Sequence, residues 1–60
     1  EEKTVTLKRI EFITLDAETM VYIVDMEEHI YYAGFEKEML LLEEGDTLTI
    51  LTDGTVFRLK

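Results

Sequence analysis

KTVTLKRIEFITL (residues 3–15) is rich in β-branched and aromatic residues and alternates apolar with polar, the pattern of a strand with one covered face. The alternation slips twice. Val5 and Leu7 share one parity, Ile10 and Phe12 take the other, and Ile13 and Leu15 return to the first. A one-residue slip turns every later side chain to the wrong face unless an extra residue absorbs it. A bulge at Lys8–Arg9 absorbs the first slip, and a second near Phe12–Ile13 would absorb the other. Bulges bend strands, and a long bent first strand is how a small barrel closes.

Outward from this stretch, Asp16-Ala17-Glu18-Thr19 is a polar break that reads as a turn, although no glycine fixes its type. Met20–Met26 (MVYIVDM) is apolar on both parities, as expected of a strand covered on both faces or crossing a barrel corner. Glu27-Glu28-His29 breaks the pattern again, and Ile30–Phe35 (IYYAGF) is a third strand. Gly34 there permits a kink or a close backbone approach.

The segment 35–44 (FEKEMLLLEE) reads two ways. At helical period Phe35, Met39 and Leu42 share a face, Glu36 and Glu38 suit a helix N-terminus, and Gly45 suits the C′ position. Glu43 and Glu44 have the wrong sign for a last turn, and Leu40 and Leu41 leave the stripe. About two helical turns are the preferred reading, a strand the alternative.

Thr47–Thr52 and Thr55–Lys60 flank Asp53-Gly54, a strong hairpin signal. A two-residue type I′ turn pairs Thr52 with Thr55, Leu51 with Val56 and Ile50 with Phe57. Leu48, Ile50, Phe57 and Leu59 then form one apolar face. The expected fold is therefore mainly β, a five-stranded small barrel with a bulged first strand and a short helix between the third and fourth strands. With that helix the barrel is OB-like; without it, SH3-like.

Sixty residues suffice for one domain, 1–60. A chain this short buries only about 60% of its unfolded surface, so packing must be dense. Twenty-six residues are Val, Ile, Leu, Met, Phe or Tyr, enough for one core. Cysteine is absent, which leaves the redox compartment open, and proline is absent too. No apolar run nears the roughly 18 residues of a membrane helix, and no signal peptide is evident, so a soluble chain is expected.

Fourteen Asp/Glu against six Lys/Arg leave a net charge of −8. Nucleic-acid binders neutralise phosphates with clustered Lys and Arg, and here those residues are scattered, so no nucleic acid and no membrane surface is expected as a partner. An acidic surface instead attracts a basic protein or peptide.

Chemistry finds little to work with. His29 stands beside Asp25, Glu27 and Glu28, but zinc sites take several His or Cys and calcium loops need oxygens around a glycine turn. There is no Ser and no Cys, and the three glycines are isolated rather than gathered in a phosphate loop. Neither a cofactor nor an enzyme is expected. Tyr31 and Tyr32 are adjacent and must point to opposite faces of a strand. With Glu27 and Glu28 they mark a candidate interaction surface.

In its length, its lack of Cys and Pro, and its glycines only at Gly34, Gly45 and Gly54, the chain resembles de novo designed small β-barrels. It is also similar to short bacterial small-barrel domains of unknown function, through Arg9-Ile10-Glu11 and Glu44-Gly45-Asp46. Neither likeness implies catalytic residues. The expectation is a self-contained monomeric scaffold that requires no partner, and the alternative is a small acidic module binding a basic protein or peptide.

Overall fold

The first strand divides its length between two partners. In the computed structural model, which describes residues 1–60, β1 (Glu2–Leu15) pairs antiparallel with β4 (Thr47–Thr52) over Glu2–Thr6. From Leu7 onward it pairs with β2 (Glu18–Asp25), from Leu7 opposite Asp25 to Leu15 opposite Glu18. The changeover coincides with a register shift between Leu7 and Arg9, so Lys8 is the extra residue. This bulge moves the core-facing parity from Val5 and Leu7 to Ile10 and Phe12.

No second bulge follows. The ladder runs unbroken from Arg9 to Leu15, and Ile13 and Leu15 lie exposed on the outer face. The strand outruns the core there, so its last apolar residues need no common side.

Two further strands, β3 (Ile30–Gly34) beside β2 and β5 (Phe57–Leu59) beside β4, complete one sheet in the order β3-β2-β1-β4-β5. All ladders are antiparallel. The sheet is not closed into a barrel as the sequence suggests: its edge strands meet at one parallel bridge, Tyr32 with Val56, where the Tyr32 N–H donates to Thr55 O at 2.8 Å. β5 is only three residues long, too short to build a second ladder.

The core lies on the concave side: Val5, Leu7, Val21, Ile23, Tyr31, Ala33, Met39, Ile50 and Phe57. Val5 and Leu7 of β1 share one parity, and Ile50 and Phe57 come from the expected apolar face of the last hairpin; in β2 and β3 the odd-numbered residues are the buried set. In β2 both faces are covered only near the bulge, where Val24 is buried with Ile23; Met20 at the other end is exposed.

Between β3 and β4 stands a five-residue 3₁₀ helix, Lys37–Leu41, rather than two turns of α-helix. Its N-cap residue, Glu36, makes no side-chain cap and its last turn has no basic residue, so little offsets the cost of nucleating a longer helix. Met39 is driven fully into the core while Leu40 and Leu41 stay exposed. Gly45 does not follow the helix, whose C-cap is Leu42. At φ 91° it shapes the turn into β4, donating its N–H to Leu7 O at 2.8 Å.

The two-residue turn with both central residues at positive φ, as type I′ requires, is Asp16 (φ 50°) and Ala17 (φ 67°), not Asp53-Gly54. The last hairpin pairs Thr52 with Phe57 and Ile50 with Leu59, two residues out of the expected register, across a four-residue loop. Side chains make the difference. Asp53 Oδ1 accepts the Thr55 and Val56 N–H groups at 2.9 and 3.0 Å, Gly54 N–H donates to Thr52 Oγ1 at 2.9 Å, and Thr52 Oγ1 donates to Val56 O at 2.6 Å. A shift of two preserves parity, so Ile50 and Phe57 still enter the core. Gly34 ends β3 without a close approach, since a Cβ there would meet nothing within 4 Å.

Candidate interaction surface

Tyr31 and Tyr32 point to opposite faces, as adjacent strand residues must. Tyr31 is fully buried and Tyr32 is 48% exposed, so only Tyr32 is available to a partner. The sheet register surrounds it with outward-facing residues. Tyr32 pairs with Tyr22, which pairs with Glu11; Gly34 pairs with Met20, which pairs with Ile13; Ile30 pairs with Val24, which pairs with Arg9. The Tyr22 and Tyr32 rings lie 6.1 Å apart at 47°. Val56 joins the row through its bridge to Tyr32.

The outer face therefore presents Ile13, Met20, Ile30, Tyr32 and Val56, all exposed, around the half-buried Tyr22. Glu11 and Glu18 share this face by register, with Arg9 the one cation among these positions. The pair Tyr31–Tyr32 alone did not mark Val56 or Met20. Alternation did carry the signal, since residues 20, 22 and 24 and residues 30, 32 and 34 sit on one parity, but it is visible only once the opposite parity is known to be core.

Glu27 and Glu28 occupy the β2–β3 loop at one end of this face. Asp25, only 3% exposed, organises the loop: its Oδ1 accepts the Glu27 and His29 N–H groups at 2.9 Å each. Glu28 adopts φ 67°, and its carboxylate pairs with Lys8 of the bulge. The bulge and the loop are thus tied together, while Glu27 points to solvent unpaired. Arg9 is exposed opposite Val24 and has no ion pair.

His29 has a structural task. Its ring stacks on Tyr31 with centroids 4.4 Å apart and planes 13° apart, and Nε2 lies 2.9 Å from Gly54 O. It clamps the β2–β3 loop to the β4–β5 loop. No group of three or more His, Cys, Asp or Glu gathers at metal-binding range.

Two ionisable groups are displaced from their ordinary behaviour. Lys3 is held above the usual lysine range, chiefly by hydrogen-bonding attraction to the Tyr31 hydroxyl and by its charge, with Glu27 and Asp25 adding to it and desolvation opposing it. That attraction is long, because Tyr31 Oη has no partner of ordinary hydrogen-bond geometry; the Lys3 ammonium sits 5.9 Å from the ring centroid. Asp53 is held below the usual carboxylate range by the N–H groups of Val56 and Thr55.

On the concave side Phe12 and Phe35 pack edge to face at 5.9 Å, each 40% exposed. Phe35 follows β3 and His29 precedes it, so this pair lies at the other end of that strand from the His29 clamp. No protein-family model, curated protein or solved structure matches this chain.

Proposed function

We propose that the chain is a small acidic interaction module on an OB-like framework, binding a basic protein through the outer face of β1–β3. The observation that carries this reading is the exposed Tyr32 and Val56 beside the half-buried Tyr22, with Glu11 and Glu18 next to them. Tyrosine suits an interface because it offers large apolar area with a polar tip and few torsions to freeze. The net charge of −8 draws a cationic partner and repels phosphates.

The OB-like reading rests on connectivity. β1 lies between β2 and β4, and the parallel approach of β3 to β5 brings the two sheet edges toward each other. In OB barrels the face of the second and third strands is the ligand face, which is where the tyrosines stand. The acidic charge favours a protein over an oligonucleotide on that face.

The test is a titration with an unstructured peptide rich in Lys and Leu, followed by amide chemical shifts. Met20, Tyr22, Tyr32 and Val56 should respond, and Tyr32→Ser should weaken binding by at least about tenfold, as loss of a central aromatic does. Raising the salt should weaken it too. Absence of binding at millimolar peptide overturns the proposal and leaves a self-contained scaffold of the designed-barrel kind.

A further inference from the structure

Where β1 leaves β2, the sheet forks. The first half of β1 runs along β4, and its other edge faces the β2–β3 loop. Odd-numbered residues serve the β4 ladder, as Leu7 N–H to Asp46 O and Thr52 N–H to Glu1 O, both 2.8 Å, show. Even-numbered residues therefore turn their backbone groups the other way. Thr6 O accepts the Met26 N–H at 3.1 Å. Beyond that single bond the β1 edge has no strand partner, and Thr4, exposed, holds out both its N–H and its C=O.

The fork holds an open groove of about 210 Å³ lined by Thr4, Val5, Thr6, Asp25, Met26 and Glu27. Asp25 is the unusual member. As a residue it is 3% exposed, its Oδ1 is committed to two backbone amides, and its Oδ2, which takes part in no hydrogen bond or ion pair, keeps what access the side chain has to the groove. Glu27 adds a second, unpaired carboxylate. The nearest cation, Lys3, feels both carboxylates at a distance but sits by the Tyr31 ring and makes an ion pair with neither.

A carboxylate with one oxygen committed and the other open to the groove, beside an unpaired strand edge, is a receptor for two things at once: a backbone to extend the sheet and a cation to meet the acid. We infer that the fork binds an extended peptide segment of a partner protein, which adds as a strand along Glu2–Thr6 and places one Lys or Arg side chain against Asp25 and Glu27. Thr4 supplies the backbone donor and acceptor, Met26 the apolar wall, and the two carboxylates the charge. This goes beyond the outer-face reading and does not depend on it, since no residue of the Tyr22–Tyr32–Val56 strip lines the fork.

The probe is the capped peptide Gly-Ser-Val-Arg-Val-Ser-Gly, titrated into the full chain and followed by amide shifts and hydrogen exchange. The expected result is perturbation at Thr4, Thr6 and Glu27, with slowed exchange of the Thr4 N–H. Two variants follow. Asp25→Asn keeps the Oδ1 acceptor and removes the charge; Thr4→Pro removes the free donor at an edge, where proline is tolerated, without touching the β4 ladder. Each should weaken binding by at least about tenfold, and citrulline in place of the peptide's Arg should do the same. Thr4→Pro keeps the test decisive should Asp25→Asn unfold the loop. Perturbation confined to Tyr22 and Tyr32 would overturn the fork while leaving the outer-face reading standing. No perturbation at millimolar peptide would overturn the fork alone, because the outer face is tested with its own ligand.

Discussion

Tyr32 and Val56 face each other across a parallel bridge, the point at which β3 and β5 meet. The contact is reinforced next door, where His29 Nε2 lies 2.9 Å from Gly54 O. His29→Phe keeps a ring over Tyr31 and removes only that bond. Hydrogen exchange at the Tyr32 amide should then accelerate by up to about tenfold, the worth of one hydrogen bond, with Ile23 little changed. Equal acceleration at both would mean that His29 holds the whole fold rather than this closure.

Ala17 adopts φ 67°, a conformation that costs an L-residue with a Cβ roughly 1–2 kcal/mol. Ala17→Gly should therefore raise stability by about 1 kcal/mol in urea unfolding. A loss of stability would show that Ala17 does not occupy the left-handed region.

Gly54 has φ 106°, yet a Cβ there would meet nothing within 4 Å. The obstacle to substitution is backbone conformation alone. Gly54→Val should cost about 2 kcal/mol, and unchanged stability would refute the loop geometry.

Ile50 and Phe57 are 0% and 1% exposed in the centre of the core. Ile50→Ala or Phe57→Ala should cost about 2–5 kcal/mol. A thermal or chemical unfolding curve that moves by less than about 1 kcal/mol would mean that the hairpin is inverted.

Asp53 is bound by the Val56 and Thr55 amides, which lower its pKa in the folded state. Its contribution to stability is complete above the unfolded carboxylate pKa and disappears as pH falls through the lower folded value. Between about pH 5 and pH 2, Asp53→Asn should lose less stability than the parent. Parallel curves would sink this assignment.

The strand succession, the bulge at Lys8–Arg9 and the buried face of the last hairpin are legible in the sequence, because each follows from where apolar residues recur; in β2 and β3 apolar residues occupy both parities, so their buried face is not. Turn chemistry was harder to read. Ala17 has no preference for positive φ, so nothing in Asp16-Ala17 announced the tight turn that strand pairing imposes there. Asp53-Gly54 signals a two-residue turn, but the chain reverses through a four-residue loop instead, because the Thr52 hydroxyl and Asp53 carboxylate bind backbone groups that a two-residue loop would not offer. The interaction surface was half visible. Tyr32 could be named, whereas Val56 reaches it only through a bridge between strands distant in the chain, and the fork around Asp25 exists only because β1 changes partners.

That change of partners also orders the folding of the chain. The second half of β1 needs only to double back across Asp16-Ala17, a closure that local chain motion completes quickly. The first half must find β4, with Thr6 and Thr47 separated by 41 positions in sequence, and such distant encounters set the pace of β proteins. During synthesis the first half of β1 thus settles later than the second, waiting as a free strand until Thr52 has emerged.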